Sequence, residues 1–136
     1  MDIDKLMHAL ENDNNAPIAS LDLKQIAKDK NDMLQQLHLP KEELKTLHQK
    51  LKLYRYVDTM EQLGYGKYIR WINLNNMPLK LTNGGILCSI KVVDEIIHVL
   101  CRNNVGKIFQ VSLAKVLLFQ KLSDQEQIIL KAMALL

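Results

Sequence analysis

Apolar residues recur at helical spacing from the start of the chain. Ile3, Leu6, Met7 and Leu10 fall three and four apart, which predicts a short first helix. The run Asn12-Asp13-Asn14-Asn15 breaks it, because short polar side chains compete for backbone hydrogen bonds, and Pro17 lies in the same linker. Leu23, Ile26, Ala27, Leu34 and Leu37 predict a second helix from about Leu21, ended by Pro40. Pro40 also opens a third, where Glu42 and Glu43 suit the positive end of the helix dipole. This third helix is predicted over 41–63. Leu44, Leu47, Leu51 and Tyr54 form its stripe, Val57 and Met60 extend it, and Leu53 and Tyr56 lie off it. An element apolar on two sides packs against a second unit or pairs with another helix. Gly64 is the expected left-handed cap, and Gly66 follows it.

The pattern then turns aromatic and β-branched. Tyr68 to Ile72, Ile86 to Val93, Ile96 to Arg102, Lys107 to Leu113 and Val116 to Lys121 read as strands. Turns are expected at Asn75-Asn76-Met77-Pro78 and Thr82-Asn83-Gly84-Gly85. Ser123-Asp124-Gln125-Glu126 matches a capping box and predicts a last helix, with Ile128, Ile129, Met133 and Leu136 on one face. The fold class is therefore α+β. A helical arm of three helices over 1–63 precedes an antiparallel β-unit with a C-terminal helix over 64–136. The β-unit is either a small antiparallel sheet or a barrel of the SH3-like or OB-like kind.

Two hairpins have a predictable register. With Asp94-Glu95 as a two-residue loop, Val92 faces Ile97, Ile90 faces Val99 and Cys88 faces Cys101, all apolar on one face. With Asn104-Val105-Gly106 as a three-residue loop, Cys101 faces Phe109, Val99 faces Val111 and Ile97 faces Leu113. The opposite face mixes Ser89, Lys91, His98, Arg102, Gln110 and Ser112 with Leu87, Leu100 and Ile108. Such a face is either a binding surface or half covered by the helices.

The 136 residues suit one domain, or a small domain with an arm. No apolar run approaches the roughly 20 residues that span a bilayer. The acidic start Met1-Asp2-Ile3-Asp4-Lys5 lacks the pattern of a signal peptide, so a soluble, cytoplasmic protein is expected. Charge is uneven. Residues 1–40 hold four Lys against seven Asp or Glu, whereas residues 64–121 hold eight Lys or Arg against Asp94 and Glu95 alone. A basic β-unit suits an acidic partner, nucleic acid or protein, although solvated lysines alone give the same count. Lys67, Arg70, Lys91, His98, Arg102 and Lys107 are the candidate contact residues. Tyr68 and Trp71 beside Lys67 and Arg70 could stack on a single strand, or Trp71 could fill the core while Lys67 and Arg70 reach water.

Nothing in the sequence points to catalysis. There is no GxSxG or HExxH, and the Gly64-Tyr65-Gly66 and Gly84-Gly85 pairs are too short to cradle phosphate. His8, His38, His48 and His98 never fall three or four apart, and the two cysteines form no CxxC, so neither a metal site nor a cofactor is expected. Cys88 and Cys101 are expected to be reduced core residues.

The order Gly66-Lys67-Tyr68-Ile69-Arg70-Trp71-Ile72, then Leu81-Thr82-Asn83-Gly84-Gly85, then Phe119-Gln120-Lys121 resembles short uncharacterised proteins of nucleocytoplasmic large DNA viruses. These show a YIRWI or YIRYI strand, a GG turn and a late aromatic strand. The resemblance implies a viral setting, in the host cell cytoplasm or the virion, and no activity. The expected function is thus a non-enzymatic binding or adaptor module, with self-association or a protein partner at the helix over 41–63. The alternative is a structural virion or scaffold protein without nucleic-acid contact.

Overall fold

The computed structural model of the chain describes residues 2–19 and 21–135. Helix α1 (Ile3–Glu11) is capped by Asp2, whose carboxylate accepts the Lys5 N–H. After the Asn-rich break come α2 (Ala16–Ala19) and α3 (Leu23–Gln35), the latter capped by Asp22. The break is anchored rather than loose. Asn12 and Asn15 both donate to the Gln125 side chain, and Asn15 also donates to the Ala9 carbonyl.

The third predicted helix is corrected in its second half. Helix α4 (Lys41–Lys50) stops well short of the expected end at Leu63, and Tyr54–Val57 is a strand, β1. Tyr-Arg-Tyr-Val is an aromatic and β-branched run that packs better on a pleated surface than in a helix. The spacing of Leu51, Tyr54 and Val57 fits either period over so short a stretch. Lys30 stabilises the change of direction. Its ammonium donates to the Leu51 carbonyl at 2.8 Å and the Tyr54 carbonyl at 3.0 Å, and burial pushes its pKa down. Gly64 therefore caps no helix. It lies outside the left-handed region, and its N–H donates to the Gln120 side chain at 2.9 Å.

Five more strands follow: β2 (Tyr68–Asn73), β3 (Gly85–Val93), β4 (Ile96–Arg102), β5 (Ile108–Ser112) and β6 (Val116–Lys121). All neighbours are antiparallel, in the order β1-β6-β2-β3-β4-β5. The sheet is open, so of the two expected architectures the sheet holds and the closed barrel does not. It is nevertheless curled. Trp71 on β2 meets Phe109 on β5 edge to face, with ring centroids 6.3 Å apart. In a flat sheet three strand steps would separate them by about 14 Å.

Both hairpins form with the expected loops. Val92 faces Ile97 and Ile90 faces Val99, and beyond the next turn Cys101 faces Phe109 and Val99 faces Val111. Asp94 and Glu95 both adopt positive φ, the backbone that a two-residue hairpin turn requires. Gly106 takes the left-handed position of the second loop, and the Asn103 side chain accepts the Val105 and Lys107 N–H groups. The Cys88–Cys101 pairing is corrected. A β-bulge between Leu87 and Ser89 turns Cys88 out to solvent and sets Leu87 opposite Cys101. Leu113 also leaves the ladder. It enters a 3-10 turn (Leu113–Lys115) but remains buried beside Ile97.

Three clusters form the core. On the inner face of the curl lie Val57, Ile69, Trp71, Leu87, Val99, Cys101, Val116 and Leu118. On the outer face, Leu117, Phe119, Tyr54 and Ile72 meet α3 and α4 through Leu34, Leu44, Leu47 and Leu51. The stripe expected to drive self-association is thus turned inward. The third cluster joins Ala9, Ile18 and Ile26 to Leu122, Ile129 and Leu130 at the base of α5 (Asp124–Ala134). The predicted capping box starts α5, with Ser123 and Glu126 each accepting the other's N–H. Leu136, expected on this helix's apolar face, lies outside the described residues.

Candidate binding surface

The curl divides the six candidate residues among three places. Lys67 is withdrawn from any surface. Its ammonium lies 2.6 Å from the Glu126 carboxylate, which is itself 1% exposed. This pair ties the start of β2 to α5. Nearby, Arg55 and Gln120 face each other across β1 and β6, both buried, and both donate to the Gln62 carbonyl. These polar groups hold the 60–64 segment over the end of the inner face.

Lys91, His98 and Arg102 share one surface, the outer face of β3 and β4. Lys91 is paired with His98 across the strands, and Arg102 with Ile86. Side chains alternate between the faces, so Ser89, Lys91 and Val93 on β3 and Ile96, His98, Leu100 and Arg102 on β4 point one way. Ile108, Gln110 and Ser112 of β5 continue that face, with the Gln110 carboxamide nitrogen 3.2 Å from His98 Nδ1. No residue of β3, β4 or β5 belongs to either cluster that the helices form with the sheet. Ile86, Val93, Ile96 and Ile108 are each about half exposed, at 49%, 52%, 48% and 52%. Of the two readings of this face, half covered or open, the structure shows it open. Its acidic groups, Asp94 and Glu95, sit at the hairpin tip.

Arg70 and Lys107 lie near a cleft. Its walls are β2, the 82–84 segment, the 103–104 turn and β5, and its volume is about 820 Å³. Two glycines bring the walls together. A Cβ on Gly84 would stand 1.9 Å from the Ile69 carbonyl oxygen, and one on Gly85 2.5 Å from that of Arg102. Gly84 also has a positive φ, so the chain passes β2 more closely than any other residue permits. Arg70 Nε donates to the Thr82 carbonyl and the Tyr68 hydroxyl to the Asn83 carbonyl, both at 2.8 Å. Phe109 and Trp71 form the apolar side, with the Lys107 ammonium 5.1 Å from the Phe109 ring centroid. Asn83, Asn103, Asn104 and Gln110 supply carboxamides. These four do not stand out as a group in the sequence, since Asn83 meets the Asn103–Asn104 turn only through the pairing of β2, β3 and β4.

Among the described residues no three His, Cys, Asp or Glu side chains gather to hold a metal ion. No described helix is long and apolar enough to cross a membrane. Comparison with family models, with curated proteins and with solved structures finds no match.

Proposed function

We propose that the chain is a non-enzymatic binding or adaptor module whose β-unit contacts an acidic partner. The observation that carries this reading is the uncovered outer face of β3 to β5. It combines Lys91, His98 and Arg102 with half-exposed Ile86, Val93, Ile96 and Ile108. An apolar patch flanked by basic residues, with acidic groups at the hairpin tip alone, suits a docking surface, where the apolar area gives affinity and the charge gives orientation and rate. Nucleic acid and an acidic protein surface both meet that description. The resemblance of the YIRWI strand to viral proteins is the ground for reading such a module as one of the host cell cytoplasm or the virion.

Fluorescence anisotropy with labelled DNA and RNA oligonucleotides tests the nucleic-acid form. Phosphate contacts make affinity fall steeply between about 50 and 200 mM salt. The double variant Lys91→Glu, Arg102→Glu should abolish binding while moving stability by no more than about 0.5 kcal/mol, because both positions are exposed. Absence of binding at low salt removes nucleic acid as the partner. Loss of an acidic protein from a pull-down on the same double variant would then support the protein form.

A second reading, a structural virion or scaffold protein without nucleic-acid contact, has its own observation. Ile3, Met7 and Leu10 make an apolar stripe on α1 that is 69%, 51% and 53% exposed. Light scattering on a sizing column separates the two, since a monomer at all concentrations counts against a self-assembling scaffold.

A further inference from the structure

We infer that the cleft between β2 and β5 is a nucleotide site, taking the phosphate on Arg70 and the base among the carboxamides. Gln110 borders the outer face, where it meets His98, and Asn103 follows Arg102, but Arg70 and Asn104 lie outside the face of β3 to β5, so variants at these two test the site separately.

The twelve lining residues include Arg70 and no Asp or Glu. Arg70 is held by one bond, from Nε to the Thr82 carbonyl, which fixes the plane of its guanidinium. No other hydrogen bond or ion pair engages that guanidinium among the described residues. A planar fork oriented in this way matches two oxygens of a phosphate. Lys107, over the Phe109 ring, adds a second cation at the rim.

The remaining walls fit the rest of a nucleotide. Phe109, partly exposed and backed by the buried Trp71, offers aromatic surface of the sort on which a base packs. Asn83, Asn103 and Asn104 carry carboxamides, the groups that read the mixed edge of a base, and Gln110, whose nitrogen meets His98 Nδ1, adds its oxygen as an acceptor. The Asn103 oxygen is already engaged by Val105 and Lys107, which leaves its NH₂ to donate. A simple carboxylate or inorganic phosphate would use Arg70 but leave the aromatic and amide walls idle. The volume of about 820 Å³ also exceeds what a small anion fills. A free mononucleotide and one unit of a single strand present the same chemistry here.

Trp71 is the chain's single tryptophan and lines the cleft, so its fluorescence reports occupancy. The full chain is titrated with the four ribonucleoside monophosphates, with inorganic phosphate, and with single-stranded oligonucleotides. A saturable change with at least one monophosphate, and none with inorganic phosphate at equal concentration, is the expected result. Arg70→Gln should weaken binding by about tenfold or more. Asn104→Asp, at an exposed turn position, places a carboxylate at the cleft without burying it and should weaken binding in the same direction. An oligonucleotide that competes with the monophosphate and binds more tightly identifies a strand as the source. A monophosphate that binds as well as any oligonucleotide identifies the free nucleotide. Equal binding by wild type and both variants, or no change with any monophosphate or oligonucleotide, overturns the site. Oligonucleotide binding that depends on Lys91 and Arg102 but not on Arg70 overturns it too, while leaving the outer face standing.

Discussion

The two halves of one antiparallel sheet differ in how they are covered. Strands β1, β6 and β2 are covered on both faces, by the curl on one side and by α3 and α4 on the other. Strands β3, β4 and β5 are covered on their inner face alone. The contrast is written in the strands themselves. Val116-Leu117-Leu118-Phe119-Gln120 of β6 is buried at every position, whereas β3 and β4 alternate apolar with polar or charged residues. One half is packed on both faces, and the other leaves one face uncovered.

Matched substitutions test this contrast most severely. Phe119 is fully buried and meets Tyr56 edge to face, with centroids 5.9 Å apart. Phe119→Ala should cost about 4 kcal/mol, the range for a large aromatic removed from a core. Ile108 on the open face is half exposed, and Ile108→Thr should change stability by less than about 0.5 kcal/mol. Urea unfolding of the two variants gives both values. Comparable losses would mean that the open face is covered after all.

The ion pair between Lys67 and Glu126 is the next largest effect. Glu126→Gln keeps the size of the side chain and an oxygen in place of Oε1, which meets both the Ser123 N–H and the Lys67 ammonium, but removes the charge that neutralises Lys67. The expected loss is about 2–3 kcal/mol, since removal of one member of a buried pair strands the other and Lys67 keeps some contact with water. Lys91→Gln on the open half should cost almost nothing by the same measurement. Were Glu126→Gln also silent, the pair would not be what fastens α5 to the covered half.

The open half was the more legible of the two in sequence. Its hairpins follow from local rules, an alternating face and loops of two and three residues, and four of the proposed pairs occur as read. The covered half depends on long-range pairing. Nothing near Tyr54 states that its partner is Lys121, so a strand with helix-compatible spacing reads as helix. The candidate residues follow the same division. Lys91, His98 and Arg102 share a face because alternation alone dictates it. The ion pair at Lys67 and the cleft at Arg70 needed α5 and the curl, which no local pattern encodes. The bulge at Cys88 is a third case, in which one inserted residue moved a side chain from the expected inner face to solvent.

That bulge supplies the subtlest test, because it places two thiols of one hairpin in opposite environments. Cys88 is exposed, with its Sγ 3.4 Å from the Leu100 carbonyl. Cys101 is 1% exposed, and burial, with a smaller contribution from Cys88, pushes its thiol up to about 11. Only thiolate reacts with an alkylating reagent, so Cys88 should be modified in the folded protein and Cys101 only after unfolding. Mass spectrometry of the peptides decides this directly. Two thiols modified at one rate would restore the paired register and remove the bulge. The raised pKa has a thermodynamic counterpart with a definite sign. Below the ordinary thiol value of 9.0 both folded and unfolded Cys101 are protonated, and the group leaves stability independent of pH. Between there and about 11 the unfolded thiol ionises first, so its share of the stability falls as the pH rises. Lys30 acts in the opposite direction, because its depressed pKa lets the folded state lose a proton before the unfolded state does. Cys101→Val should therefore flatten the alkaline decline, and Cys88→Ser should leave it unchanged. An equal response from the two would place both thiols on the same side of the sheet.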